Sequence, residues 1–173
     1  NTGIVLQDGV HNNTVANSTG HSNVLSAFYS ESSRNNTFIN STAYNNSDTG
    51  LASQNSNQTA FINNSVYNNS GGVVFLTETN SSLINNTIYS NAGIGINIQP
   101  STAISISGNN VRNSTSQGII LDGTSASSIS NNSVYNNSDT GVQLRNSPNN
   151  TVTTTSSYNN SPGSGIYVTN SSG

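Results

Sequence analysis

The sequence contains no Cys, Met, Trp or Lys, and charged residues make up only 5% of its 173 positions. Each absence excludes something. Without Cys there is no disulfide framework and no thiolate metal site. With three Arg as the only strong bases, at positions 34, 112 and 145, the chain cannot neutralise a phosphate backbone, so nucleic acid is not a partner. No apolar run approaches the roughly 18 residues of a membrane span. The amino terminus has neither the basic nor the apolar segment of a secretory signal.

What remains is polar and repetitive. Asn, Ser, Thr and Gly together supply 101 of the 173 residues, and the formal charge is −3. Disorder favours high net charge, which this chain lacks, and its few apolar residues recur in phase. The string Asn-Asn-Ser-Val-Tyr-Asn-Asn-Ser stands at 63–70 and again at 131–138, with a looser copy at 41–50. A small residue precedes each short apolar run at Gly3, Ser26, Gly50, Gly72, Gly95, Gly118, Gly141 and Gly165, at intervals of 22 to 24 residues. A fixed short period is the mark of a solenoid.

Within each repeat the apolar residues alternate, as in strands. Ile4 with Leu6, Ala27 with Tyr29, Val73 with Phe75 and Ile96 with Ile98 open successive repeats, and further columns run through Phe38, Phe61 and Leu83 and through Val66, Ile88 and Val111. Three short strands per 23 residues, separated by Asn, Ser, Thr and Gly turns, predict an all-β, single-domain parallel β-helix over 1–173, of about seven coils. The chain opens on Asn1 and ends in mid-coil without a polar or helical cap, so a mature or excised piece is expected.

Gly-Ile-x-Leu followed by Asn-Asn-Ser-Val-Tyr-Asn-Asn resembles the right-handed parallel β-helix repeats of the pectate-lyase type. It is most similar to the Asn-rich repeats of archaeal surface proteins and of a periplasmic copper-binding β-helix family. The resemblance covers the whole chain and implies a right-handed coil. It does not carry copper binding across, because His11 and His21 are the only His and lie at different phases. No cofactor is expected.

Two Asn columns are expected to point inward and form amide ladders. One contains Asn17, Asn40, Asn63, Asn85 and Asn131, and the other Asn45, Asn68 and Asn136. An outward column of His21, Tyr44, Tyr67, Tyr89, Arg112, Tyr135 and Tyr158 is a candidate contact face for another rod or a glycan. Asp8 and Glu31 are expected at one phase of adjacent coils, at a separation a glycosidase pair or calcium would use. Asp122 and Arg145 are expected to pair, and Asp48 and Asp139 to cap Asp-Thr-Gly turns.

Sixteen Asn-x-Ser/Thr sequons occur, where composition alone gives about ten. Those on the ladder columns are expected to be buried. Asn12, Asn35, Asn57, Asn80 and Asn149, taken as one turn phase, together with Asn170, are the glycosylation candidates.

These features predict an extracellular structural protein and not an enzyme: a glycosylated, self-associating β-helix subunit of a filament, sheath or surface layer, polymerising head-to-tail or side-by-side. The alternatives are a carbohydrate-binding adhesin or tail-fibre module, or a polysaccharide lyase or hydrolase using Asp8 and Glu31.

Overall fold

A computed structural model describes residues 1–172, which wind into a parallel β-helix of three sheets. The first sheet has eight strands, from Ile4–Gln7 and Phe28–Glu31 to Ile166–Thr169. The second has seven three-residue strands, from Thr14–Ala16 to Thr151–Thr153, and the third seven, from Thr19–His21 to Ser156–Tyr158. Every strand pairs in parallel with its equivalent one coil away, as in Val73 with Ile96 and Leu83 with Ile106.

The core is one continuous column. Phe28, Phe38, Phe61 and Phe75 pack with ring centroids 5.1 to 6.0 Å apart. Above them Ile96, Ile98, Ile106 and Ile119 fill the same positions with no measurable exposure. Small residues balance the four rings: Gly20 and Ala43 stand where later coils carry Val66 and Ile88. A Cβ on Gly20 would lie 2.8 Å from that of Ala27.

The corners explain the abundance of Asn. Twenty-six residues other than Gly have a positive φ, and seventeen of them are Asn, the side chain that tolerates the left-handed region through local hydrogen bonding. Each such residue turns the chain and reverses the parity of the strand alternation. The Asn-Asn doublets therefore split. The first member, as in Asn63-Asn64 or Asn85-Asn86, is left-handed and exposed, and the second is buried.

The ladder therefore runs one residue later than expected. Asn17, Asn40, Asn63, Asn85 and Asn131, with Asn45, Asn68 and Asn136, all face solvent. Counting two residues past a core position assumes extended backbone, and the left-handed corner breaks that count. The inward rungs are Asn64, Asn86, Asn109 and Asn132, joined Nδ2 to Oδ1 at 3.0 to 3.1 Å, and Asn23, Asn46, Asn69 and Asn91, joined at 2.8 to 3.2 Å. Every Oδ1 but that of Asn23, in the first coil, also accepts a backbone N–H from the preceding coil, as Asn86 does from Asn64 at 2.9 Å. The ladder thus satisfies corner N–H groups that no strand could reach.

Two further phases differ from expectation. Phe28 registers with Ile4, so Phe28 rather than Ala27 begins the inward pair and Tyr29 points outward. Asn57 registers with Arg34 and Thr79, while Gln58 takes the left-handed corner shared by Asn12, Asn35, Asn80 and Asn149. Asn57 is half-buried, with its Oδ1 enclosed and unpaired.

Candidate functional site

The second and third sheets have three-residue strands, and the third carries the outward column from His21 and Tyr44 to Tyr158. The first sheet is wider, reaching six residues at Thr49–Gln54 and Gly71–Leu76. Beside it runs the irregular segment that closes each coil. Between sheet and segment lies a pocket of about 350 Å³, lined among others by Leu25, Tyr29, Asp48, Ala52, Gln54 and Val74. Its size is that of a small-molecule or sugar-ring site.

The strand alternation builds this site. Tyr29, Ala52 and Val74 are register partners on successive strands, and Glu31, Gln54 and Leu76 form the next outward column. The Tyr29 hydroxyl donates to Gln54 Oε1 at 3.3 Å. Burial holds its pKa above the ordinary phenol value, and the neighbouring Glu31 carboxylate adds to the rise. Asp48 lines the same pocket from the closing segment and accepts a hydrogen bond from Thr49 Oγ1 at 3.3 Å. An aromatic ring, a carboxamide and a carboxylate thus line one pocket with the apolar Leu25, Ala52 and Val74.

Sequence phase alone hides Tyr29, because one extra residue separates Ile4 from Phe28. Aligning the second coil on Phe28 instead of Ala27 would have turned Tyr29 outward.

The Asp8–Glu31 pair does not form. Glu31 registers with Gln7, and Asp8 occupies a left-handed turn where Gln7 Nε2 donates to it at 3.1 Å. Asp122 and Arg145 do pair, at 2.6 Å, and the guanidinium holds the Asp122 carboxyl below its usual range. Asp139 caps its turn by accepting the Thr140 N–H at 2.7 Å. Among the described residues no three His, Cys, Asp or Glu side chains gather as a metal site would require.

The Tyr column is stacked. Tyr44, Tyr67 and Tyr89 succeed one another at 5.2 and 4.8 Å within 13° of parallel, and His21 lies over Tyr44 at 4.9 Å. Arg112 caps Tyr89 at 4.6 Å from the ring centroid, and Tyr135 stacks on Tyr158 at 5.0 Å. Ring faces are therefore covered by neighbours, and edges and hydroxyls face outward.

Glu78 is the one buried carboxylate among the described residues, at 1% exposure. It replaces a serine in a hydroxyl ladder. Ser33 N–H donates to Ser56 Oγ, Ser56 N–H to Glu78 Oε1 at 2.9 Å, and Glu78 N–H to Ser101 Oγ. Ser53 Oγ and Ser81 Oγ donate to the two carboxylate oxygens at 3.0 and 2.8 Å. Burial raises its pKa more than these donors lower it. A raised folded-state pKa contributes stability that is complete below the unfolded value, about 4.3, and is lost as pH rises through the folded value. Wild-type protein should therefore gain urea resistance on acidification through that window relative to Glu78→Gln. Parallel profiles for the two proteins would remove Glu78 as the source.

Solved structures share this fold. The periplasmic alginate epimerase AlgG matches over 97% of this chain and 47% of its own, with TM-score 0.84 and 16% identity. The A-module of the mannuronan C-5 epimerase AlgE4 from Azotobacter vinelandii matches over 96% and 55%, with TM-score 0.73 and 19% identity. DFA-IIIase from Arthrobacter chlorophenolicus without its lid matches over 73% and 32%, with TM-score 0.65 and 14% identity. The chain spans about half the length of the two epimerase structures. No curated protein is significantly similar to it.

These three structures are carbohydrate-acting enzymes and not filament or sheath subunits. This overturns the expectation of a self-assembling, non-enzymatic archaeal filament, sheath or surface-layer subunit. The resemblance holds for the right-handed β-helix and not for the archaeal or copper-binding varieties in particular. A family model for the right-handed β-helix region matches residues 1–88 and 55–173, which together span the sequence. The chain belongs to the right-handed β-helix region family.

Proposed function

We propose that the chain is a polysaccharide-binding β-helix segment of an extracytoplasmic, carbohydrate-acting protein. The observation that carries this reading is the pocket on the first sheet, where Tyr29, Gln54 and Asp48 converge over Ala52 and Val74. A sugar ring offers an apolar C–H face and a rim of hydroxyls, and a tyrosine beside a carboxamide and a carboxylate meets both needs. The carbohydrate-acting relatives of the fold support the class of ligand, and the periplasmic one supports the location.

Charge narrows the ligand. Glu31 and Asp48 stand in and beside the pocket, and no Arg, Lys or His lines it among the described residues. A polyuronate, with one carboxylate per ring, would meet repulsion here, so the site is assigned to a neutral glycan. The groups available for proton transfer are Tyr29, Glu31 and Asp48. The Tyr44–Tyr67–Tyr89 stack is a secondary contact line, using its hydroxyl edge rather than its ring faces.

Calorimetric titration with neutral hexasaccharides and with an oligouronate tests the assignment. Neutral glycans should bind, and Tyr29→Ala and Gln54→Ala should each weaken them about tenfold, or 1.4 kcal/mol, with Tyr67→Phe having a smaller effect. Preference for the oligouronate, or indifference to Tyr29→Ala, would overturn it.

A further inference from the structure

The corner Asn residues carry an unexpected pairing. Of the sixteen sequon Asn, fifteen sit at exposed, positive-φ positions, the exception being Asn57. The sequons on the supposed ladder columns are therefore on the surface and not inside. Fourteen of the fifteen fall on three corner columns. One contains Asn12, Asn35, Asn80 and Asn149. The next contains Asn17, Asn40, Asn63, Asn85 and Asn131, and the last Asn45, Asn68, Asn113, Asn136 and Asn159.

The fold by itself explains why these corners favour Asn. It does not explain the hydroxyl residue two places beyond each of them. All fourteen Asn corners on these columns have Ser or Thr at that position. On the same columns seven corners are not Asn, and four of those lack it: Ser22 is followed by Val24, Gln58 by Ala60, Ser90 by Ala92 and Gly108 by Asn110. The hydroxyl thus follows every Asn corner but only three of the seven others, Ala103, Ala126 and Thr154, which are followed by Ser105, Ser128 and Ser156. A structural reason would be a contact between the two side chains. Among the described residues the only side-chain hydrogen bonds of these fourteen Asn are Asn35 to Asn12 and Thr154 to Asn131, and neither reaches the hydroxyl two residues on.

The geometry points to the three corner columns as N-glycan acceptor sites. Their carboxamides project into solvent, whereas each buried ladder Nδ2 is engaged by a neighbouring Oδ1 or carbonyl, as Asn86 Nδ2 is by Phe61 O at 2.8 Å. The reaction joins the anomeric carbon of a glycan to Asn Nδ2. It breaks the anomeric C–O bond of a lipid-phosphate-linked donor, and it releases the lipid phosphate and one Nδ2 proton. An oligosaccharyltransferase supplies the catalysis. Rungs stand about 4.8 Å apart, closer than two sugar chains can lie, so occupancy alternates along each column. Such a coat supplies the hydration that 5% charged residues do not.

Peptide mapping of the full chain secreted from an N-glycosylating host tests this. Glycans are expected at several corners of each column, with Asn57 and the ladder Asn bare. Thr42→Ala should abolish the glycan at Asn40 alone. In protein made without glycosylation, Thr42→Ala should cost no more stability than Ser105→Ala, which lies two residues past the corner Ala103. Bare corners throughout, or Asn57 occupied as fully as they are, would overturn the proposal. A destabilisation specific to Thr42→Ala would also overturn it, by showing that the pairing is structural.

Discussion

Replacing Asn86 with alanine should destabilise the protein by about 3–5 kcal/mol, while the same change at adjacent Asn85 should cost about 1 kcal/mol. The asymmetry arises from the split doublet. Asn86 is buried, its Oδ1 accepts both the backbone N–H and the Nδ2 of Asn64, and its Nδ2 donates to Phe61 O and Asn109 Oδ1. Truncation leaves the Asn64 N–H buried without an acceptor and breaks three further bonds. Asn85 is exposed with φ 55°. Alanine there bears only the cost of the left-handed conformation, and Asn85→Gly should recover that loss. Urea unfolding of the three variants checks the order, and equal costs at 85 and 86 would contradict the ladder.

A second neighbouring pair should separate as widely. Gly72→Ala is expected to cost about 3 kcal/mol or more, and Gly71→Ala within about 0.5 kcal/mol of nothing. A Cβ on Gly72 would overlap Gly95 O and lie 2.8 Å from Ile88 Cγ2. Relief would require two stacked coils to move apart at their hydrogen-bonded edge. A Cβ on Gly71 would meet only Thr49 Oγ1, at 3.4 Å. Thermal melts of the two proteins discriminate directly, since neither substitution alters charge or a polar group.

Both pairs show where reading along the chain succeeds and where it stops. The 23-residue spacing, the column Phe38, Phe61, Leu83 and the recurring Gly at each coil's start were legible because burial is periodic and the period survives as letters. They correspond to a continuous core and a close inter-coil contact. Asp122 with Arg145 was legible too, since both lie on strands where phase is kept. Asp8 with Glu31 was not, because the extra residue before Phe28 shifts the second coil and sets Glu31 opposite Gln7. Tyr29 was missed through a single inserted residue, which is enough to exchange the two faces of a strand.

Composition and period were sufficient for the solenoid, its three strands per coil, its core columns and the exclusion of thiolate chemistry. No folding event can alter either of those properties. The three-dimensional arrangement was needed to tell which Asn of each doublet faces the core, which Tyr enters the first-sheet groove and which sequons meet solvent. Each of those depends on side-chain direction after a left-handed corner, and one such residue inverts the alternation for the strand beyond it. The Asn-Asn pair is written twice with one letter, and its two members have opposite roles: one turns the backbone and faces water, the other closes the hydrogen bonds that the turn leaves open.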